Sequence, residues 1–257
     1  MKITVLSENT SACGLPSEHG LSLLIETGEH TILFDAGASS LFAENAAACG
    51  ADLRRVDLAV LSHGHKDHSG GLTRFLELND TAPVYMSRYA PEPHFTDKGE
   101  PIGVDGALLQ SPRVILTDGV TELAPGLTLY SCNDRETPWG VDSAGLFTLR
   151  DGAMAPEDFR HEHYLLIREG GRRILISGCS HKGVLNLMGW FRPDVLVGGF
   201  HYFMHPLDDT LHRYAEALDA FDTDYYTCHC TGVKQFDFMK NHMRRLTYIS
   251  AGQTLTV

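Results

Sequence analysis

The densest chemistry in this chain lies in six consecutive residues, His63-Gly64-His65-Lys66-Asp67-His68, followed by Ser69-Gly70-Gly71. Three imidazoles and a carboxylate at that spacing offer the nitrogen and oxygen donors that a borderline divalent metal takes, and Gly64 allows a tight loop to aim them inward. Given the chain's composition, H-x-H-x-D-H is expected by accident roughly 0.003 times per chain, which sets the solvated polar loop aside. The chain holds 14 histidines in 257 residues. Histidine is the commonest metal ligand and titrates nearest neutrality, so its excess raises a question of chemistry before one of packing.

The loop needs elements to position it. Residues 57–62 (DLAVLS) form a short apolar run of buried-strand length that ends at His63. Residues 2–6, 21–27 and 30–35 read as strands, the last two joined by a hairpin at Gly28-Glu29. Helices are expected over 39–49 and 71–78, with a strand at 83–86. Residues 88–112, rich in proline and glycine, read as an inserted loop. The second half repeats this texture, with strands at 127–132, 146–150, 164–169, 172–177, 194–200 and 224–229, and a closing strand TLTV. Its helices are expected at 183–191, 208–221 and 232–242. Hairpin runs that give way to alternating strands and helices imply two sheets with helices outside, an α/β protein. The expected organisation is one domain over residues 1–257 built from two similar halves.

Composition narrows the partners. With 21 basic and 33 acidic side chains the formal charge is −12, which argues against a basic face that reads nucleic acid. No apolar run approaches a membrane span, and the start MKITVLSEN lacks a secretory layout, so no membrane partner and a cytoplasmic location are expected. Six scattered cysteines without a CxxC pair read as thiols.

Strand, HxHxDH and Gly-Gly-Leu together resemble the metallo-β-lactamase-fold hydrolases. Three further stretches, Ser177-Gly178-Cys179-Ser180-His181-Lys182-Gly183, Gly198-Gly199-Phe200-His201 and His229-Cys230-Thr231-Gly232, are similar to its dihydropterin-related, ribofuranosylaminobenzene-phosphate synthase-like subgroup. The resemblance implies a four-layer αβ/βα sandwich with one or two divalent metals at the open edge between the sheets, zinc first and manganese or iron as alternatives. It implies that His63 and His65 hold the first metal, that Asp67 and His68 begin the second, and that His229 closes the second. Where the superfamily usually has Gly-Asp after a strand, this chain has Gly178-Cys179, so either Cys179 is a thiolate ligand or His181 supplies the donor. The superfamily's middle histidine precedes a strand, and His161, Glu162 and His163 compete for that place. Asp35 matches an early Asp-x-Gly and is expected to fix the tautomer of a ligand histidine.

The chemistry this implies is hydrolysis of a small phosphorylated or cyclic-phosphate, pterin-like substrate, with Asp67 as ligand and general base and His201 as a substrate donor. A transferase or synthase of pterin-related biosynthesis and a non-catalytic pterin-binding metalloprotein are the alternatives. Trp139, Phe200, Tyr202 and Phe203 could stack a flat heterocycle, with core packing expected of at least two of them. Cys230 is expected to pack as a buried thiol, with Cys228 facing the other way along the strand. His19, His30, His94, His205, His212 and His242 have no motif around them and are expected to be ordinary surface or packing residues.

Overall fold

The computed structural model describes residues 1–257. Along the chain, β1 (Lys2–Ser7), β2 (Ser22–Glu26) and β3 (Thr31–Phe34) form an antiparallel run, followed by α1 (Leu41–Ala48) and β4 (Leu58–Val60). Then come α2 (Lys66–Ser69), α3 (Leu72–Leu78), β5 (Val84–Ser87), β6 (His94–Phe95), β7 (Val114–Thr117), β8 (Val120–Ala124) and β9 (Leu127–Tyr130). The remainder comprises β10 (Phe147–Arg150), β11 (Ala153–Pro156), β12 (Tyr164–Glu169), β13 (Arg172–Ile176), α4 (Val184–Phe191), β14 (Val195–Gly198), α5 (Asp209–Asp219), β15 (Asp224–Thr227), α6 (Val233–Met239), β16 (Leu246–Tyr248) and β17 (Thr254–Thr256).

Two seven-stranded sheets result, in the orders β17-β1-β2-β3-β4-β5-β7 and β16-β15-β14-β13-β12-β9-β8. Alternation of side chains along each strand decides which layer they join. Leu23 and Ile25 of β2, with Ile174 and Ile176 of β13 and Val195 and Val197 of β14, fill the space between the sheets. Leu24 points the other way, onto Phe42, Ala46, Leu72 and Phe75 of the first helical layer. Leu175 and Leu196 likewise pack on Leu185, Met188, Leu211 and Phe236 of the second. The architecture is therefore helix, sheet, sheet, helix. Asp208 caps α5 by accepting from the Thr210 and Leu211 N–H groups at 2.9 and 3.3 Å.

Several details differ from expectation, among them strands β7, β8, β11 and β16, none of which was expected. A third small sheet, β11-β10-β6, exists, and residues 88–112, expected to be a plain loop, contribute β6 and a 3₁₀ turn at Gly106–Gln110. Two residues of β6 carry no readable period; pairing of His94 and Phe95 with Thr148 and Phe147 creates the strand. Residues 146–150 serve this small sheet, and His229 lies beyond its strand, in a 3₁₀ turn at His229–Thr231. No helix is long and apolar enough to cross a membrane.

The parallel pairings β3-β4-β5-β7 and β13-β14-β15-β16 give both sheets strands whose C-terminal ends reach the same edge. Ligands of α/β sheets sit outside such ends, and this edge carries the histidine loop.

Candidate metal centre

The loop after β4 is held from beneath by Asp35, which follows β3 in a left-handed conformation with φ 57°. Asp35 Oδ1 accepts from the Ser62 N–H at 2.7 Å, and Oδ2 accepts from the Ser62 hydroxyl and from His68 Nδ1, each at 2.7 Å. Ser62 has one proton and has given it to Asp35, so its Oγ accepts from His63 Nδ1 at 2.8 Å. Both rings therefore carry their proton on Nδ1 and turn Nε2 toward the edge. Asp35 thus performs the tautomer-fixing role expected of it.

Opposite, His229 is set by two residues the sequence reading did not single out. Glu8, buried, accepts from the His229 N–H at 2.6 Å, and Asn9 Oδ1 accepts from His229 Nδ1 at 2.7 Å. His229 Nε2 then faces His68 Nε2 at 3.2 Å, and Cys179 Sγ lies 3.3 Å from the same His68 nitrogen. Two lone pairs at that separation repel unless a proton or a cation lies between them. Burial works against a charge on His68, but Asp35 and Asp67 outweigh it and raise its proton affinity; the same field favours a cation.

Cys179 and His181 arrive on the turn after β13. Gly178 is required there by space, since a Cβ would lie 2.2 Å from Ser62 Oγ. Glu162 ties the turn down: Oε1 accepts from the His181 N–H at 2.8 Å and Oε2 from the Lys182 N–H at 3.1 Å. Phe159 stacks on the His181 ring with centroids 4.1 Å apart. Donor atoms of His63, Cys179 and His181 lie within 4.8 Å of one another, as do those of His68, Cys179 and His229. Cys179 is common to both groups, and the structure brings together both residues that the sequence offered as alternatives. Asp67 Oδ2 stands at the open side, 3.3 Å from His229 Nε2 and 3.4 Å from His19 Nε2. His19, expected to be an ordinary residue, is exposed but stands on the rim of the site.

His65, expected to share a metal with His63, lies beside that group, its ring centroid 4.6 Å from that of His63 and 5.1 Å from that of His181. One of its donor atoms also groups with those of His94, Glu157 and His161. His94, expected to be ordinary, is buried at the heart of that cluster, brought there by its pairing in β6. Of the three candidates before β12, His161 faces this cluster, Glu162 holds the Cys179 turn, and His163 turns a partnerless Nδ1 into the core. Cys228 joins the core between the sheets, whereas Cys230 Sγ donates to the Cys179 carbonyl at 3.5 Å. They diverge as expected, but through the turn after β15 and not through strand alternation.

A cavity of about 630 Å³ opens beside the edge, lined by His181, His201, Trp139, Tyr202 and Tyr214 among others. His201 packs against His181 at a centroid distance of 4.2 Å, and burial lowers its pKa to about 4, leaving a neutral ring. Phe200 and Tyr202 are core residues, 1% and 7% exposed, as expected for two of the four aromatics; Trp139 and Phe203 are exposed. His205 also lines the cavity.

The donor set fits a metal. His63 Nε2 and both ring nitrogens of His181 are buried without any hydrogen-bond partner, a cost of about 1–3 kcal/mol for each such atom that a cation would remove. Burial also holds His63 and His181 well below the ordinary imidazole range, in the neutral form that ligates.

Fold and edge together define an αβ/βα metallohydrolase. The sequence model described as the metallo-beta-lactamase superfamily matches residues 16–226, and the chain belongs to that family. It is similar, at 28% identity over 99% of this chain and 96% of the other, to the 7,8-dihydropterin-6-methyl-4-(beta-D-ribofuranosyl)-aminobenzene-5'-phosphate synthase of Methanocaldococcus jannaschii. Among solved structures it resembles Tm1679, a metal-dependent hydrolase of the beta-lactamase superfamily, with a TM-score of 0.87, 28% identity and coverage of 100% and 99% of the two chains. It shares its fold with PqqB from Methylobacterium extorquens at a TM-score of 0.60 and 14% identity, each chain covered in full. The protein is a metal-dependent hydrolase of the metallo-β-lactamase superfamily.

Proposed function

We propose that this enzyme hydrolyses a small phosphorylated or cyclic-phosphate substrate with a flat, pterin-like ring. The observation that carries the reading is the meeting of partnerless imidazole nitrogens and Asp67 beside a cavity with aromatic walls. His63, His65, Cys179 and His181 would hold one ion, and His68, Cys179, Asp67 and His229 a second. A thiolate among imidazoles suits zinc or iron better than manganese, and zinc is the ion we assign. A divalent ion there supplies Lewis acidity, making water nucleophilic near neutral pH and offsetting charge on a phosphoryl oxygen.

The chain's own groups do the rest. Asp67 Oδ2, half-buried on the open side, can accept a proton from the attacking water and pass it toward the exposed His19. His201, neutral and facing the cavity, donates an N–H to a substrate oxygen. Trp139 and Tyr214, edge to face at 6.3 Å, offer surfaces for a heterocycle. The similarity to a synthase of dihydropterin chemistry supports a second reading, a transferase that forms a bond to carbon as phosphate or pyrophosphate leaves.

Zinc-loaded protein assayed against phosphomonoesters, cyclic phosphodiesters and their pterin conjugates tests this. We expect turnover that falls about 10²- to 10⁴-fold in Asp67→Asn. A panel with no turnover, together with retention of a pterin absorbance on the protein, would replace hydrolysis with binding; phosphate release that requires an arylamine acceptor would favour the synthase.

A further inference from the structure

Behind the open edge, His65, His94, Glu157 and His161 meet from separate segments, none more than 4% exposed, with one donor atom of each within 4.8 Å of the others. We propose that Glu157, with His94 and His161, is a buried carboxylate–imidazole clamp that fixes the tautomer of His65, its proton on Nε2 facing inward and its Nδ1 lone pair facing the open edge. The clamp rests on the reading above in one respect, that His65 serves the metal centre. Glu157, His94 and His161 are positioning residues and touch no substrate.

Proton placement follows from the hydrogen bonds. The Gly64 N–H donates to His161 Nδ1 at 2.8 Å, so the neutral ring carries its proton on Nε2, which lies 3.5 Å from Glu157 Oε2. His94 Nδ1 donates to Glu157 Oε1. An ionised carboxylate only accepts, so both rings must present N–H to it. Although burial disfavours the charge, those two contacts outweigh it and hold the Glu157 carboxyl well below the usual range. His65 Nε2 is sealed from solvent and has no other partner, whereas Nδ1 is not among the sealed atoms. An N–H on Nε2 finds acceptors within the cluster, in Glu157 or the free Nε2 of His94; a lone pair there would compete with Glu157 Oε2 and His94 Nε2 for the single N–H of His161.

A cation in the cluster is the competing explanation. To draw on all four residues it would need a lone pair on His161 Nε2, and the Gly64 N–H, by taking the lone pair of Nδ1, has already assigned that atom its proton. Gly64 completes the clamp sterically. A Cβ at this position would lie 2.5 Å from the Ala90 carbonyl oxygen and 3.0 Å from His94 Nε2, so the loop can pass over the clamp only as glycine.

Long-range proton–nitrogen spectra of ¹⁵N-histidine-labelled protein, with and without zinc, read the ring protons directly. The expected result is Nε2–H on His65 and His161 and Nδ1–H on His94 in both states. Because the metal-free spectrum alone decides the tautomer, failure of the clamp is distinct from failure of metal binding. In Glu157→Gln we expect mixed His65 tautomers and zinc affinity, by chelator competition, reduced roughly 10- to 100-fold, with zinc per chain at saturation unchanged and partial recovery in Glu157→Asp. Nδ1–H on His65 in the wild type, unchanged zinc affinity in Glu157→Gln, or loss of a whole zinc equivalent at saturation would each overturn the clamp. If Glu157→Gln does not fold, the wild-type spectra still settle it.

Discussion

At the scale of single residues, the site is a set of imidazoles whose protons have been placed by their neighbours. Asp35 and Ser62 do this for His63 and His68, and Asn9 does it for His229. Replacing Asp35 with asparagine should leave the ligands in place yet weaken metal affinity roughly 10- to 100-fold, measured by chelator competition. Gly178→Ala should cost about 1–3 kcal/mol of stability, seen as a lowered denaturation midpoint, because its methyl would press on Ser62 Oγ. Acid stability follows from burial. It lowers His161 to about 4 and His163 to about 3, against the ordinary imidazole value of 6.5. Below pH 6.5 the unfolded chain therefore takes up protons that the native state refuses. Metal-free protein should be most stable above pH 6.5 and lose about 1.4 kcal/mol per pH unit for each such imidazole as pH falls toward 4. Urea midpoints between pH 7.5 and 4.5 check the sign; stability that rises toward acid would refute it.

At the scale of elements, each strand under the site separates two cores by alternation alone. β14 turns Val195 and Val197 inward between the sheets and Leu196 outward onto the helices. Leu196→Ala should destabilise the fold by about 2–5 kcal/mol through the cavity it leaves, with metal content per folded chain unchanged, since the residue supports the helical layer and not the edge. Chelator-treated Leu196→Ala and wild type should differ by a similar amount in denaturation midpoint energy.

For the whole molecule, the metal edge is a junction between the sheets. His63, Asp67 and His68 come from the first sheet's β4 loop, Cys179 and His181 from the second sheet's β13 turn, and His229 from beyond β15. An ion held across them binds the native state alone, so removal by chelation should lower stability by about 2.7 kcal/mol when free metal had stood at 100 times its dissociation constant. Differential scanning calorimetry with and without zinc measures this, and an unchanged transition would show that the ion does not bridge the sheets. The C-terminal strand adds a second tie, since β17 returns to pair with β1 and Val257 bonds to Met1.

What the amino-acid sequence determined by itself was the part written in contiguous residues. His63 to His68 announced a metal loop, hairpin runs giving way to alternating strands and helices announced the layers, and Gly178-Cys179-Ser180-His181 announced the unusual thiol. Asp35 was legible because its spacing to a strand and a glycine is local. Partnership across the chain was settled by packing. Nothing near His94 or Glu157 in sequence distinguishes them, and β6 is too short to show a period; the third sheet carries His94 to His65. Asn9 and Glu8 sit 220 and 221 residues from His229, joined to it where the end of β1 in one sheet meets the turn after β15 in the other. Sequence spacing reports which residues share a face of one element. Which lone pair meets which proton depends on contacts between distant elements, and those are fixed only once both cores have closed.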